Sequence, residues 1–309
     1  MERKQSITFH GMGTTIKIEG SCSRQANDWQ TQMREWFATC EAICSRFLSN
    51  SELTRLNKAQ VNSVIAIHPI LYDVLHIAFE YAIRTQFRFN PFIGTVLKEM
   101  GYVHSFQKQM TVHSYEKKVH RMPSSLSLSF LPQNKAVMKH TMDEIDLGGI
   151  GKGWSVDQAY GQLKRLGMDD GLIDAGGDMF IWGESQKTIG IANPFSENED
   201  IAHFIMSNGA VATSNVLYRS WKMNGQTAHH IIDGQTGQNP RSDVVQATAF
   251  AYSVIEAEVI SKVLCMLPAN EGIRWLNAYF PNAACVIVKQ NKQMLMSPSI
   301  VKHVDKMVI

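Results

Sequence analysis

The 309-residue chain contains no run of about 18 apolar residues, so no segment is expected to span a bilayer. Its first residues carry Glu2, Arg3 and Lys4 ahead of an alternating stretch. They lack the apolar core and small-residue cleavage site of a secretory signal. A cytoplasmic location is the expectation. No charge sign dominates: 30 Lys and Arg against 28 Asp and Glu leave +2, too little to argue for nucleic acid or an anionic membrane. No basic run is interleaved with aromatics, the usual footprint of nucleic-acid binding. Cysteines are few, odd in number and irregularly spaced, at 22, 40, 44, 265 and 285. Cys40 and Cys44 stand four apart on a helical stretch, but a zinc site needs two more soft ligands at matching spacing. Reduced thiols suit the cytoplasm. There is no internal repeat and no linker composition, so the chain reads as one unit from 1 to 309, built as one large domain or as two interlocked lobes. A strict dinucleotide fingerprint, expected of a nicotinamide or flavin redox enzyme, is also absent, as is the Walker A spacing.

What is present is an ordinary globular balance, 44% apolar and 19% charged, long enough for a sizeable core. Residues 14–20 alternate and read as a strand. Residues 26–47 carry Trp29, Met33, Trp36, Phe37, Cys40, Cys44 and Phe47 at helical spacing. Residues 51–58 read as a short helix capped by Ser51, 61–67 as a strand, and His68-Pro69 opens a helix to about Thr85. A short helix is expected at 96–100, then a polar surface excursion over 103–125. Strands follow at 126–131, 136–140 and 143–147, and a helix at 153–166. Further strands fit 171–174, 179–183, 188–192, 202–207, 210–213, 228–232 and 244–252. Helices at 255–267 and 270–280 and a strand at 284–289 close the pattern. Strands in hairpin-like groups between a few helices predict an α+β fold with mixed or antiparallel sheets.

Four segments carry the chemistry. Asp146 to Gly153 places four glycines in eight residues ahead of a helix. Such a segment lets backbone approach a ligand and presents free N–H groups at a positive dipole end, with Lys152 adding a charge. A tight turn explains the glycines equally well. Ala175 to Asp178 is a glycine pair before an acid, which suits either exposed backbone donors or a hairpin turn. Thr213 and Ser214 precede Arg219 and Trp221. Finally, His230 and Asp233 sit at the lip of a turn after an apolar pair, and His229 faces the other way along the strand.

Together and in this order, these segments resemble the FAD:protein FMN transferase (ApbE) family, which splits FAD and transfers FMN to a Thr or Ser of a target flavoprotein. The resemblance runs through Met12-Gly13-Thr14, Ser45-Arg46-Phe47, Ser51-Glu52-Leu53 with Leu56-Asn57, and Phe89-Asn90-Pro91 with Gly94. It continues through the glycine-rich Asp146 to Gly153, Ala175 to Asp178, Thr213-Ser214 and His230 to Pro240. It implies a two-lobed α+β fold of the T-fold kind with FAD between the lobes. Met12, Gly13, Thr14, Asp146, Gly148, Gly149, Gly151, Lys152, Ala175, Gly176, Gly177, Asp178, Thr213, Ser214, Arg219, His230 and Asp233 would contact the nucleotide. It implies His230 as general base toward the acceptor hydroxyl, a role that suits a group titrating near neutral pH. The implied partners are FAD and a flavin-accepting protein, with no nucleic acid and no membrane. FAD-binding without turnover, or FAD pyrophosphatase activity with water as acceptor, would use the same site.

The resemblance breaks at the family's magnesium site, an Ala-Asp-x-x-x-Thr pattern on a late helix plus a backbone carbonyl that falls here on Gly151. The chain has Glu258 for the aspartate and Lys262 for the threonine. An acid and a threonine are also usual where Asn90 and Phe92 stand. Magnesium demands near-octahedral oxygen ligation at about 2.0–2.1 Å. Lys262 removes an oxygen ligand, and two positive centres about 4 Å apart repel by roughly 4 kcal/mol at an effective dielectric near 20. Glu258 and Gly151 remain the candidate metal ligands. Three arrangements stay open: Lys262 in place of the ion, Lys262 turned outward with a displaced magnesium, or an ordinary helical Glu258–Lys262 pair worth about 0.3–0.5 kcal/mol.

Overall fold

The computed structural model describes residues 3–22, 28–104, 111–112, 127–223 and 226–308. Strands β1 (Arg3–Gly11) and β2 (Thr14–Cys22) form a hairpin, followed by α1 (Trp29–Cys44), α2 (Glu52–Asn57), β3 (Val64–Ala66) and α3 (Pro69–Arg84). A 3-10 turn at Pro91–Ile93 leads into α4 (Gly94–Glu99), then β4 (Thr111–Val112), β5 (Leu128–Leu131) and β6 (Ala136–Lys139). Helix α5 (Gly151–Arg165) precedes β7 (Met168–Ala175), β8 (Met179–Trp182), β9 (Lys187–Ala192), β10 (Asp200–Met206) and β11 (Gly209–Asn215). Then come β12 (Ser220–Met223), β13 (Gln226–His229) and β14 (Val244–Ala251). The chain closes with α6 (Val254–Met266), α7 (Ala269–Tyr279), β15 (Ala284–Lys289), β16 (Met294–Met296) and β17 (Lys306–Val308). No helix among the described residues is long and apolar enough to cross a membrane.

These elements fall into two compact units, one of residues 1–38, 152–215 and 242–309, the other of residues 39–151 and 216–241. The first unit holds an eight-stranded antiparallel sheet in the order β1-β2-β7-β8-β11-β14-β15-β16. Helix α6 packs over β11 and β14. On the other face Phe204 and Ile189, from the three-stranded sheet β17-β10-β9, join Val211 and Phe250 in one cluster. Covered on both faces, β14 is buried along its whole length, which is why its sequence does not alternate. Helix α6 is likewise buried nearly all round and starts at Ser253, whose hydroxyl accepts the Glu256 N–H at 3.2 Å.

The second unit carries two small sheets, β3-β6-β5 and β13-β12-β4, with α2, α3 and α4. Val96, Leu97, Met100, Tyr102, Trp221, Ala228 and Ile232 form one of its apolar clusters. Ser51 caps α2 through the Thr54 N–H at 3.0 Å, and Pro69 fills the first turn of α3.

The α+β class with antiparallel sheets and packed helices is as the sequence predicts. Several boundaries differ, each for a local reason. Residues 143–147 form no strand: the Glu144 N–H donates to Thr95 Oγ1, Ile145 to Asn57 Oδ1 and Asp146 to the Pro91 carbonyl, three different segments. The strand expected at 228–232 ends at His229, where the Asn239 amide takes the carbonyls of His229 (2.6 Å) and Ile231 (2.9 Å). Helix α1 stops at Cys44 rather than 47, and the carbonyl of Ser45 is bound by the Ser51 hydroxyl at 2.5 Å. The surface excursion expected over 103–125 lies for the most part outside the described residues. None of the five cysteines is in a disulfide, Cys40 and Cys44 included.

Candidate active site

In the first unit, two hairpin turns lie at one end of the large sheet. Met12 and Gly13 turn β1 into β2 with φ of 51° and 70°, and Gly176 and Gly177 turn β7 into β8 with φ of 70° and 95°. Both follow the two-residue pattern that requires positive φ at each central position. The pairing of β2 with β7 sets Ile16 against Ala175 and so brings the turns side by side. A Cβ on Gly176 would stand 2.0 Å from Thr14 Oγ1, whereas one on Gly177 would meet nothing within 4 Å. Packing therefore dictates Gly176, while Gly177 leaves open space above the backbone. Asp178, the next residue, is buried.

Asp178 leads to a buried charge cluster. The Lys152 ammonium donates to Asp178 Oδ2 and, at 2.9 Å, to Glu258 Oε1. Lys262 donates to the same Glu258 oxygen at 3.2 Å, and the Gly153 N–H donates to Glu258 Oε2 at 2.8 Å. Glu258 is 1% exposed, and Lys152 and Lys262 are mostly covered at 17% and 14%. Burial opposes ionisation of Glu258, but the Lys152 and Lys262 ammonium groups and the Gly153 N–H outweigh it and hold the carboxyl down at about 2. Burial also disfavours a charged Lys152, and Asp178 and Glu258 reverse that and push its pKa up. For Asp178, burial raises the carboxyl against the pull of Lys152.

The same cluster ties two helix starts together. Glu258 of α6 caps the Gly153 N–H in the first turn of α5. Asp157 of α5 caps the Val254 (2.9 Å) and Ile255 (3.1 Å) N–H groups that open α6. The helices can approach this closely because residue 153 is glycine: a Cβ there would meet the Val254 and Ile255 backbone at 2.9 Å. Burial and the Glu258 charge raise Asp157 to about 7, against the lowering effect of its two N–H donors. Beside the cluster, Ser214 of β11 pairs with Ser261 of α6 at 2.9 Å, while Thr213 faces the other side of the sheet and pairs with Thr248 at 2.8 Å.

In the second unit, Asp146 is committed to structure. One oxygen meets Arg46 Nε and the other accepts the Gly148 N–H at 2.8 Å, shaping the turn that leads to Gly149 and Gly151. A Cβ on Gly148 would press on that oxygen at 2.9 Å. Arg46 also donates to the Tyr102 carbonyl at 2.9 Å and lies against the rings of Phe47 and Tyr102. Tyr102 stacks on Trp221, centroids 5.7 Å apart, and Arg219 reaches its hydroxyl; burial raises that phenol. Asp233 anchors the turn after Ile232: it pairs with Arg88 at 3.0 Å and accepts the Gln235 N–H at 2.9 Å. His230 sits half-buried with Nδ1 3.4 Å from the Arg219 carbonyl. His229 is held by Asn239 on its backbone, and burial pushes its imidazole down to about 4.

The structure thus assembles Lys152, Asp178, Glu258 and Lys262 directly, and sets Met12, Gly13 and Thr14 beside Ala175, Gly176 and Gly177. It separates Thr213 from Ser214 across the sheet. In the second unit Asp146 and Asp233 serve as turn anchors, and Arg219 joins His230 and Tyr102. Sequence reasoning missed Asp157, which carries no motif, and the pairing of Lys152 with Glu258, which are 106 residues apart. It also gave Asn239 no role.

The sequence matches the ApbE family profile over residues 12–287. The chain belongs to the ApbE family. Among curated ApbE relatives, the FAD:protein FMN transferase of Buchnera aphidicola is 24% identical over 94% of this chain and 88% of its own length. That of Treponema pallidum is 23% identical over 95% and 86%. Among solved structures, the ApbE protein of Thermotoga maritima superposes with a TM-score of 0.84 at 22% identity, covering 98% of this chain and all of that one. Flavin transferase ApbE of Vibrio cholerae gives 0.78 at 17%, over 98% and 100%. These likenesses establish that the fold is the ApbE fold.

The metal that the ApbE family implies does not fit the donors around Glu258. Three of its four lone-pair positions are used, two on Oε1 by ammonium groups and one on Oε2 by a backbone N–H. Lys262 offers no lone pair. Among the described residues, no group of three His, Cys, Asp or Glu side chains is placed to hold a metal ion.

Proposed function

We propose that the chain is a flavin transferase that moves FMN from FAD onto a Thr or Ser hydroxyl of a partner protein and releases AMP. The family match over residues 12–287, with relatives named FAD:protein FMN transferase that align along most of both chains, is the observation that carries this reading. In the reaction, the acceptor oxygen attacks the flavin-side phosphorus of FAD, and the bridging P–O bond to the adenosine phosphate breaks. The hydroxyl proton goes to a base, and AMP leaves with the electrons of the broken bond. A phosphoester between FMN and the acceptor remains.

His230 is our candidate base. Its Nδ1 lies 3.4 Å from the Arg219 carbonyl, a contact that orients the ring, and imidazole is the side chain best suited to general-base work near neutral pH. Lys152 suits the phosphates: its ammonium is fixed by Asp178 and Glu258, so it needs no reorganisation when charge develops on a phosphoryl oxygen. Gly177, with open space where a side chain would stand, suits close approach of the nucleotide to the backbone. Five cysteines outside any disulfide accord with a reducing, cytoplasmic setting, and the acceptor would then be a cytoplasmic flavoprotein.

The test is to incubate the protein with FAD and an extract of its source cells and to inspect a denaturing gel under ultraviolet light. A fluorescent flavin band that appears only with the enzyme, and survives denaturation, supports transfer. FAD retained tightly with no covalent band and no AMP would instead mean a protein that holds FAD without turning it over. His230→Ala should bind FAD normally and lower transfer by on the order of 100-fold or more.

A further inference from the structure

The Glu258 cluster is complete in charge without any ion. Asp178 and Glu258 contribute two negative charges, and Lys152 and Lys262 two positive ones, all largely shielded from water. Lys262 bonds the same oxygen that accepts Lys152, so the position beside Oε1 is filled from two sides. The extra methylene of glutamate has its own use, since it lets Oε2 reach the Gly153 N–H and cap α5. A divalent cation placed at Glu258 would break the cap or meet two ammonium groups.

We propose that the Lys262 ammonium stands in for the divalent cation, so that this chain binds and uses its nucleotide without magnesium. The side chain is an internal counter-ion, fixed by an i,i+4 pair to Glu258 and covered to all but 14% of its surface. Taking Lys262 away leaves the cluster with two carboxylates and one ammonium. That is an uncompensated negative charge in a site screened little by solvent, which a cation fills. Threonine at 262 would add the missing oxygen. Cation exclusion stands on this cluster alone; its consequence for FAD rests on the function proposed above.

Two measurements on the full-length protein separate these layers. The first is electron paramagnetic resonance of Mn2+, used as a probe for magnesium, titrated into nucleotide-free protein. The second is FAD affinity, from flavin fluorescence, in excess chelator and in millimolar Mg2+. Wild type should bind no Mn2+ at stoichiometric concentrations, and its FAD affinity should differ by less than about threefold between the two conditions. Lys262→Thr should gain a bound Mn2+ and a dependence of FAD affinity on metal of at least about tenfold. Lys262→Gln serves should the threonine variant fail to fold, and Lys262→Arg should remain metal-free. Stoichiometric Mn2+ on wild type, or folded threonine and glutamine variants that gain none, would overturn the proposal. Failure of every form to bind FAD would overturn the functional reading and leave the Mn2+ result standing by itself.

Discussion

Glu258 accepts three hydrogen bonds on two oxygens while almost wholly buried, and its removal takes from Lys262 the carboxylate it pairs with and from Lys152 one of two. Breaking a buried ion network from one side is expensive, so Glu258→Ala should lower unfolding free energy by about 3–5 kcal/mol in a denaturant titration. Lys262→Met, which leaves Glu258 paired with Lys152, should have the smaller effect. The helical spacing of Glu258 and Lys262 was readable in the sequence, and by itself it suggests a pair worth only a few tenths of a kcal/mol. What the sequence hides is that Lys152, 106 residues away, joins it and that burial raises the stakes. Of the two adjacent histidines, only His230 gains a role from the sequence, through the family resemblance. Burial lowers the titration of the His229 imidazole from 6.5 to about 4. Between these values the unfolded chain binds more protons than the folded one. His229 therefore favours folding fully above about pH 6.5, and that contribution is lost as pH falls toward 4. The slope should be at most about 1.4 kcal/mol per pH unit over that window, and His229→Gln should flatten it.

Helices α5 and α6 start against one another, each capped by an acid from its neighbour: Asp157 on α6 and Glu258 on α5. Asp157→Ala should cost about 1–2 kcal/mol as a lost cap. Combined with Glu258→Ala, it should give less than the sum of the two, because either change loosens the crossing that both acids hold. Gly153→Ala places a methyl 2.9 Å from the Val254 and Ile255 backbone and should destabilise by about 1–3 kcal/mol, read from the thermal midpoint. The glycines of the two motifs thus have origins that the sequence alone does not separate: in the glycine-rich segment Gly148 and Gly153 are packing requirements, whereas Gly177, in the turn between β7 and β8, faces open space. Long periodic elements such as α3 and α7 were legible because one face is buried and one is wet. A strand is the sequence expectation at 143–147, but the amides there go to Thr95, Asn57 and Pro91, contacts that no local pattern announces.

At the scale of the molecule, no single cut of the sequence separates the two units, since one is built from three stretches of chain and the other from two. The chain passes from one unit to the other four times, within α1, at the start of α5, just after β11 and shortly before β14, so no single stretch of linker composition marks a boundary. The family resemblance was legible for a related reason, because its motifs are short, keep their order and sit at turns and helix starts that the fold repeats. The departures at 258 and 262 were equally legible as residue types, and only the structure places Lys152, Asp178 and the Gly153 N–H around them. The account that joins these scales is a flavin transferase whose resident cation is Lys262. Its most direct test is chromatography of nucleotides after incubating the protein with FAD and an acceptor-containing extract, in excess chelator and in Mg2+. AMP should form in both, at rates within about threefold of each other. Absence of AMP in both would contradict flavin transfer, and AMP only with Mg2+ would contradict the role assigned to Lys262.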